Sequence, residues 1–364
     1  METKPNIVLY INNLEKGGAE RAILQLATGF HEQNYKTTVI TTFEGNNEYD
    51  FPKNINRINL LDKQDTGNRI KRNFFLIHKL RKILKTQNPD FLISFMAEAN
   101  FRAILSSIGL KTKCIVSVRN DPEKEYAGKL GKFVGNYIMP IADGCVFQTN
   151  EAQAWFPKKL QRKSKIIYNA VKDDFFKIQR NIEENTIVTC GRLEEQKNHK
   201  MLIDAFEIVV KKCKYAKLYI YGEGSLRNEL QNIIDKKGLS NNIKLCGNSN
   251  DIPGVLSRAE IFVLSSDYEG MPNALMEALA AGVPSISTDC PCGGPRMLIN
   301  DDQSGLLVET GSYIELSSAI IDVLQDKELQ DKYSKESKKN ANQYKSTFVL
   351  NSWIEYLESL KLNE

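Results

Sequence analysis

Two glutamates lie eight residues apart in the stretch SSDYEGMPNALMEALAAGVPSIST, residues 265–288. Glu269 stands in a turn with Gly270 and Pro272, and Glu277 lies about one turn inside the Ala- and Leu-rich segment that follows. A carboxylate accepts well from paired hydroxyl groups but is a poor phosphate ligand. The N-terminus of the helix predicted between them suits an anion such as phosphate, because backbone N–H groups and the positive end of the helix dipole lie there.

This order of groups would suit a ligand with hydroxyls on both sides of a diphosphate. A nucleotide sugar has that layout, with a sugar, a diphosphate and a ribose. The simpler alternative is a helix-capping glutamate followed by a surface glutamate, and the spacing alone does not exclude it.

The segments around this turn predict a strand, a turn, a helix and a second strand. Pro272 suits the first position of the helix and Gly282 suits its end. Apolar runs alternate with helical ones throughout the chain, which indicates parallel α/β sheets. The predicted strands are 7–11, 36–43, 55–61, 90–95, 113–118, 144–149 and 164–169 in a first series, and 185–193, 216–224, 242–247, 260–266, 283–288 and 305–308 in a second.

The two series predict two Rossmann-like domains joined near residues 168–176. Each has a strand-to-helix turn suited to negative charge. Gly17 and Gly18 would let a ligand approach the backbone in the first. Arg192 and Lys197 would suit a diphosphate in the second, although solvated surface charges explain that pair as well. The last residues, 347–364, are amphipathic, with Phe348, Trp353 and Leu357 as candidate anchors.

The composition is that of an ordinary soluble protein of 364 residues, 41% hydrophobic and 26% charged. No apolar run reaches the roughly 18 residues of a membrane-spanning helix, and no signal peptide is expected. The seven cysteines are scattered without zinc spacing, so we expect no metal site and a reducing cytoplasm.

Charge is divided unevenly along the chain. Residues 1–170 carry a net charge of +10 and residues 171–364 carry −6, which points to an anionic partner for the first half. Residues 68–85 predict an amphipathic helix whose apolar stripe is expected to be core. Its cations are Arg69, Lys71, Arg72, Lys79, Arg81, Lys82 and Lys85, and its stripe is Ile70, Phe74, Ile77, Leu80 and Leu84. An anionic membrane surface is the expected partner, and a solvated basic face is the alternative. Nothing indicates a nucleic acid partner.

Five motifs together resemble those of glycosyltransferase family 4, retaining enzymes of the GT-B fold. They are GGAER (17–21), GRLEEQKN (191–198), YGEG (221–224), EGMPNALMEALAAGVPSIST (269–288) and GLLV (305–308), in the order of the family. The tracts ISFMAEANF, VSVRNDP and STDCPCGGPRMLI look most like the bacterial branch that builds capsule, lipopolysaccharide and lipid-linked oligosaccharides.

The resemblance implies two Rossmann-like domains that face each other across a cleft. The first, residues 1–170, would lie on the acceptor side and receive the C-terminal helix, about 346–364. The second, residues 171–345, would bind the nucleotide sugar.

The resemblance also implies a role for each site residue. Glu269 would hold sugar hydroxyls, and Arg192 and Lys197 would neutralise the diphosphate as the glycosidic bond breaks. The donor would also be bound by Glu277 at the ribose, by Asn248 and Ser249 near the base, by Gly17 and Gly18 over the phosphates, and by the backbone of Gly270, Met271, Pro272, Asn273, Ala274 and Leu275.

One departure concerns a histidine that many members use to reach the donor sugar. Here the tract reads SVRNDP, so Arg119 and Asn120 are candidates for contact with a sugar or the acceptor, as is Arg296 after Gly293-Gly294-Pro295. With two cations and a helix end available, transfer without a metal ion or other cofactor is expected.

The leading hypothesis is transfer from a nucleotide sugar, expected to be UDP-linked, to a glycan on a lipid of the undecaprenyl diphosphate type. The enzyme would lie on the inner face of the plasma membrane. Alternatives are a soluble, glycerolipid or teichoic-acid acceptor, or a non-catalytic protein that only binds a nucleotide sugar.

Overall fold

The computed structural model describes residues 4–62, 67–299 and 303–361. The chain forms two compact units, Met1–Ala170 with Ser346–Glu364, and Val171–Lys345. Each unit is built on one parallel sheet with helices packed against it.

The sheet of the first unit has the order β3-β2-β1-β4-β5-β6-β7, with every described pairing parallel. Its strands are β1 Asn6–Ile11, β2 Lys36–Thr41, β3 Asn56–Asn59, β4 Phe91–Phe95, β5 Lys113–Ser117, β6 Gly144–Phe147 and β7 Ser164–Ile166. Its helices before the second unit are α1 Gly18–Glu32, α2 Arg69–Gln87, α3 Ala97–Ser107, α4 Pro122–Glu125, α5 Gly128–Phe133, α6 Asn150–Trp155 and α7 Lys158–Gln161, with a π-helical turn at Val134–Ile138 and a 3₁₀ turn at Met139–Ile141.

The sheet of the second unit has the order β10-β9-β8-β11-β12-β13, again with parallel pairings. Its strands are β8 Thr186–Cys190, β9 Lys217–Tyr221, β10 Ile243–Gly247, β11 Ile261–Leu264, β12 Ser285–Thr288 and β13 Gly305–Val308. Its helices are α8 Asp173–Phe176, α9 His199–Lys212, α10 Arg227–Lys236, α11 Ile252–Arg258, α12 Asn273–Ala280, α13 Gly294–Ile299, α14 Tyr313–Gln325 and α15 Lys327–Ala341, with 3₁₀ turns at Glu195–Lys197 and Asn342–Tyr344.

The two predicted Rossmann-like sheets are confirmed. The predicted strands lie at the observed strands, but several run too far at the carboxyl end. The sixth was predicted to end at residue 149, whereas the strand ends at Phe147 because Thr149 already caps α6, its Oγ1 accepting the N–H of Ala152 at 3.0 Å. Pro272 occupies the N-cap position of α12, without a side-chain hydrogen bond, and is not the first residue of that helix.

Helix α2 is confirmed as a helix, but the prediction that its whole apolar stripe is core is wrong. Leu76, Leu80 and Leu84 are its buried residues, whereas Ile70 and Phe74 are 69% and 72% exposed. The first turns of α2 contact α3 through polar side chains, such as Asn73, whose Oδ1 accepts from the buried Arg102 at 2.8 Å, so the apolar side chains there stay at the surface.

The C-terminal helix, α16 Ser346–Lys361, packs on the first unit, as the resemblance implied. Trp353 is buried and its ring stacks on that of Phe95, with centroids 6.1 Å apart. Leu357 is buried too, but Phe348 is exposed and is not an anchor. No helix in the described part of the chain is long and apolar enough to cross a membrane.

Candidate active site

The order of strands in the second unit reverses direction between β8 and β11. Strands β8, β9 and β10 proceed to one side of this point and β11, β12 and β13 to the other. In open parallel sheets, ligands bind beyond the carboxyl ends of the strands at such a reversal. The segment after β8 carries Arg192 and Lys197, and the segment after β11 carries Glu269. The three predicted catalytic residues therefore follow neighbouring strands.

Hydrogen bonds join these two segments along their length. The side chain of Asn198, which also caps α9, donates to Asp267 Oδ1 at 2.7 Å, and Gln196 Nε2 donates to the carbonyl of Tyr268 at 2.9 Å. Ser265 Oγ donates to the carbonyl of Lys197 at 2.8 Å. Each contact links residues about 70 positions apart, so the two segments are held as one rigid group.

Lys197 and Glu269 form an ion pair within this group. Lys197 Nζ donates to Glu269 Oε1, and Ser266 Oγ donates to the same oxygen at 2.8 Å. The side chains are only 14% and 8% exposed. Removing one partner of such a pair leaves the other charged and uncompensated in a largely dry place. Both residues were predicted from the sequence as site residues, but their contact with each other was not predicted.

Arg192 differs from Lys197 in its surroundings. Its side chain is exposed, and Nη2 donates to Gln196 Oε1 at 3.3 Å. Beneath it, His199 is buried with Nε2 at 3.2 Å from the carbonyl of Arg192. Burial and the nearby Lys197 charge lower the pKa of His199 to about 4. The imidazole is therefore neutral near pH 7, as befits a residue that supports the loop.

The turn after Glu269 is held by its backbone and by a close packing partner. The N–H of Glu269 donates to the carbonyl of Pro291 at 2.6 Å, and the N–H of Cys292 donates back to Glu269 at 2.9 Å. A Cβ on Gly294 would lie 1.7 Å from the carbonyl oxygen of Gly270. Only glycine fits there, so the start of α13 supports the turn that leads into α12.

Glu277 lies in the second turn of α12 and is 6% exposed. The alternative of a surface glutamate is therefore wrong. Glu269 is equally buried, and the hydrogen bonds of its carboxylate go to Lys197 and Ser266, so helix capping does not account for it either. Two buried carboxylates thus flank the N-terminal turn of α12.

The YGEG motif supports the segment that carries Arg192. Gly222 has φ +140°, and a Cβ on it would lie 1.9 Å from the carbonyl of Gly191. The N–H of Leu193 donates to the carbonyl of Glu223 at 3.0 Å. Beyond the adjacent strand β10, Asn248 is exposed and Ser249 Oγ accepts the N–H of Asp251 at 3.1 Å.

In the first unit, Gly17 caps α1 and Gly18 is the first residue of that helix. Gly17 has φ −147°, an extended conformation that any residue adopts. Its role, like that of Gly18, stays a prediction about close approach of a ligand.

Arg119 lies inside the first unit. Nη1 donates to Asn169 Oδ1 at 2.9 Å, and the guanidinium carbon stands 3.8 Å from the centroid of the Phe95 ring. Burial lowers its pKa to about 9. The guanidinium carbon also lies 5.8 Å from the centroid of the Trp353 ring, so these contacts favour a role in positioning the segment after β5 against the C-terminal helix. Contact with a sugar stays a prediction, and the neighbouring Asn120 is more accessible.

Arg296, the third candidate outside the donor site, is paired. Its Nη2 donates to Asp289 Oδ2 at 2.6 Å and its Nε to Oδ1 of the same residue at 3.0 Å. The pair joins α13 to the end of β12, and a contact with a ligand stays a prediction.

Four residues of the joined segments escaped the sequence analysis: Gln196, Asn198, Ser266 and Asp267. A signal for Ser266 and Asp267 existed, since a polar run follows directly after the apolar strand β11. In the described ranges, no three His, Cys, Asp or Glu side chains are grouped so that they could hold a metal ion.

Comparisons with known proteins cover nearly the whole chain. The model for "Glycosyl transferases group 1" matches residues 171–340, and that for "Glycosyltransferase Family 4" matches residues 16–175. An uncharacterised glycosyltransferase of Methanocaldococcus jannaschii is 35% identical over 247 residues, 61% of each chain.

A second relative matches from end to end. It is the GalNAc-α-(1→4)-GalNAc-α-(1→3)-diNAcBac-PP-undecaprenol α-1,4-N-acetyl-D-galactosaminyltransferase of Campylobacter jejuni, 26% identical over 98% of this chain and 99% of that protein. Among solved structures, Anabaena HepE in complex with UDP and glucose superposes with a TM-score of 0.80 at 18% identity, covering 98% of this chain and 100% of that one.

Proposed function

This chain belongs to glycosyltransferase family 4 and has the GT-B fold, and from that premise we propose that it moves a sugar, with retention of configuration, from a nucleotide sugar to a lipid-linked glycan. The observation that carries the proposal is the group formed by Lys197, Glu269 and Ser266 at the reversal of strand order, beside the N-terminus of α12. HepE, of the same fold, was solved with UDP and glucose, so UDP is the nucleotide we propose.

In this proposal the donor lies along the carboxyl ends of β8 and β11. Glu269 holds hydroxyls of the sugar, and Glu277 holds those of the ribose. The backbone N–H groups of Gly270 to Leu275 and the helix dipole face the diphosphate, while Asn248 and Ser249 lie toward the base. Gly17 and Gly18 would close over the phosphates.

The chemical step places new negative charge on the leaving diphosphate. Lys197 and Arg192 stabilise that charge, and the N-terminus of α12 adds to it. Because Lys197 is already held by Glu269, the cation and the sugar-binding carboxylate are oriented before the bond breaks, which lowers the cost of reorganisation. The leaving phosphate accepts the proton of the acceptor hydroxyl, so the step uses neither a strong protein base nor a metal ion.

The proposed acceptor is a glycan on a polyprenyl diphosphate at an anionic membrane surface, on the cytoplasmic side. The end-to-end match to a transferase acting on an undecaprenol-linked glycan supports it. The first unit has a net charge of +8 when the C-terminal helix is counted, which suits such a surface. All seven cysteines are free thiols, as in a reducing compartment.

The proposal is tested by measuring thermal stabilisation with a panel of nucleotide sugars, because a ligand that binds only the folded state raises the melting temperature. Donors that stabilise the protein are then assayed for transfer to undecaprenyl-linked, glycerolipid, teichoic-acid and soluble acceptors. Binding without any turnover, including slow hydrolysis of the donor, would instead support a non-catalytic binding protein.

Glu269→Gln should lower the transfer rate by roughly 10²–10³, since it removes one charge-assisted contact made in the transition state. The matched control is Glu229→Gln, an exposed glutamate on α10 of the same unit. Transfer at the wild-type rate by folded Glu269→Gln would contradict the assignment.

A further inference from the structure

An open groove runs across the first unit between helices α2, α3 and α5. It encloses about 510 Å³, within the roughly 300–1,000 Å³ of small-molecule sites. Most of its wall is apolar and includes Ile70, Phe74, Ile77, Phe101, Leu105 and Leu130.

The walls of this groove are more exposed than large apolar side chains normally are. Ile70, Phe74 and Leu130 are each about 70% exposed, and they come from two helices that face one another. Contiguous apolar surface of this kind marks a binding site in soluble proteins. The groove is therefore an apolar surface site and not part of the core.

The groove adjoins a polar cavity. This cavity, of about 170 Å³, is lined by Asn12, Asn13, Arg72 and Arg102 among others, and Glu98 lines both it and the groove. It lies after β1 and β2, beside the reversal of strand order between β1 and β4, where ligands of such sheets bind.

Positive charge prevails where the two cavities meet. Arg102 is buried, and its guanidinium donates to Asn12 Oδ1 at 2.7 Å and to Glu98 Oε2 at 3.0 Å. Arg69 donates to the other oxygen of Glu98 at 2.8 Å. Arg69 and Arg102 thus share the Glu98 carboxylate at this junction, and Arg72 lines the polar cavity beside them.

An apolar groove that opens beside a cationic polar cavity fits an amphiphile with an anionic head. We propose that the groove binds the isoprenoid chain of the acceptor lipid, with its diphosphate at the arginine-containing cavity. This inference rests on the proposed lipid-linked acceptor. An isoprenoid substrate fits better than a bulk bilayer lipid because the apolar site leads to the ligand-binding end of the sheet.

The test uses three probes, farnesyl diphosphate, inorganic diphosphate and farnesol, each measured by titration calorimetry with the two isoprenoids kept below their critical micelle concentrations. Farnesyl diphosphate should bind at least about tenfold more tightly than inorganic diphosphate, because its chain buries apolar surface. Equal affinities for the two diphosphates would overturn the proposal.

Helix α2 supplies a matched pair of variants. Phe74 lines the groove, whereas its neighbour Phe75, 53% exposed, does not. Phe74→Ser, alone and with Leu130→Ser, should weaken the binding of farnesyl diphosphate by about tenfold or more. The affinity for inorganic diphosphate should not change. Phe75→Ser should leave both unchanged. If both phenylalanine variants weakened vesicle binding equally and neither affected farnesyl diphosphate, the face would be a bilayer-insertion surface and the proposal would be wrong.

A transfer assay separates this inference from the proposed function. With acceptors that share one glycan, Phe74→Ser should lower kcat/KM for a long isoprenoid chain and not for a short alkyl chain. If Phe74→Ser left kcat/KM unchanged for both acceptors, the proposed role of the groove would be wrong, and the proposed reaction would stand. Chain-dependent binding of farnesyl diphosphate without transfer to any acceptor would support the groove and overturn the proposed reaction.

Discussion

Lys197 and Glu269 show why residues of the candidate site act as a unit. Each has the other as its main charged partner, and Ser266 completes the coordination of the carboxylate. A substitution of either residue therefore removes one charge and leaves the other without its partner. Arg192 is exposed, and its side chain donates to Gln196 at 3.3 Å, so its replacement leaves no buried charge without a partner.

This difference predicts distinct effects of two alanine variants. Lys197→Ala should lower the free energy of unfolding by roughly 3–5 kcal/mol, because it leaves Glu269 buried without its cation. Arg192→Ala should change it by less than about 0.5 kcal/mol. Melting temperatures measured with and without donor check both values. Equal melting temperatures for the two variants would contradict the importance of the ion pair.

In catalysis the effects of replacing the same two cations should be non-additive, because the proposed mechanism has both stabilise charge on one leaving group. The loss of kcat/KM in Arg192→Ala with Lys197→Ala should differ from the product of the single losses. Normal transfer by both single variants, or activity that a chelator abolishes and a divalent ion restores, would refute the role assigned to them.

Glu125 is a titratable residue that the sequence analysis passed over. It lies at the floor of the apolar groove, where its Oε1 accepts the N–H of Ala97 at 2.7 Å. Burial raises its pKa to about 7 from an ordinary 4.5, against the opposing effect of backbone hydrogen bonds. A folded-state pKa above the unfolded one means that its contribution to stability is complete below about pH 4.5 and is lost as pH rises through 7.

Glu125→Gln should therefore match the wild type near pH 4.5, where the wild-type carboxyl is protonated. At pH 8 the variant should be more stable by roughly 3 kcal/mol, because it buries no charge. The measurement is the difference in melting temperature across this range, with Glu123→Gln on the exposed side of α4 as control. A difference that does not vary with pH would refute the shifted pKa.

At the scale of elements, helix α2 has two distinct halves. Its later turns bury Leu76, Leu80 and Leu84 in the unit, and Arg81 donates to the carbonyls of Ser106 and Ile108 at 2.9 and 2.7 Å. Its first turns carry the exposed apolar residues of the groove. The apolar residues of one amphipathic helix are thus buried in the core at its C-terminal end and exposed in the groove at its N-terminal end.

The exposed lysines of α2 should attract an anionic membrane, each contributing about 1 kcal/mol. The protein should co-sediment with anionic vesicles and not with zwitterionic ones, and salt should weaken binding. Reversal of Lys71, Lys82 and Lys85 to Glu should abolish it while affinity for the nucleotide sugar is kept. Arg81 is left out of this set of substitutions because its hydrogen bonds to Ser106 and Ile108 hold the end of α3. Equal binding to neutral vesicles would leave the charge asymmetry without this explanation.

At the scale of the whole molecule, each unit has its own sheet, its own reversal of strand order and its own charge. The first carries +8 and the second −4 by sequence. The first unit includes the C-terminal helix α16, whose Trp353 packs against Phe95 and Arg119. The sheet of the second unit is formed by one continuous segment.

Trp353→Ala should therefore destabilise the first unit by about 3–5 kcal/mol, as expected when a buried aromatic side chain is truncated. The melting of the second unit, identified by its stabilisation with nucleotide, should not move. Phe348→Ala, which truncates an exposed side chain of the same helix, is the control. A single transition that shifts as a whole in Trp353→Ala would show that the units do not unfold separately.

The local features of this protein could be read from its sequence. Apolar runs indicated the strands of both sheets, and Gly282 and the helix-forming residues before it indicated α12, because strand and helix periodicity depends on neighbours a few residues away. Arg192, Lys197, Glu269 and Glu277 were candidates by type and short spacing, and their roles were implied by the resemblance to glycosyltransferase family 4.

Tertiary structure decided which of these residues meet and which side chains are buried. The contact of Lys197 with Glu269 spans 72 positions and depends on β8 lying next to β11, which no local pattern encodes. The exposure of Ile70 and Phe74, and the burial of Arg119 against Phe95 and Trp353, likewise depend on elements that are distant in the sequence. Periodicity depends on neighbouring residues, whereas burial depends on distant elements. The groove on α2 lies where the apolar pattern of the helix continues but its side chains are not buried.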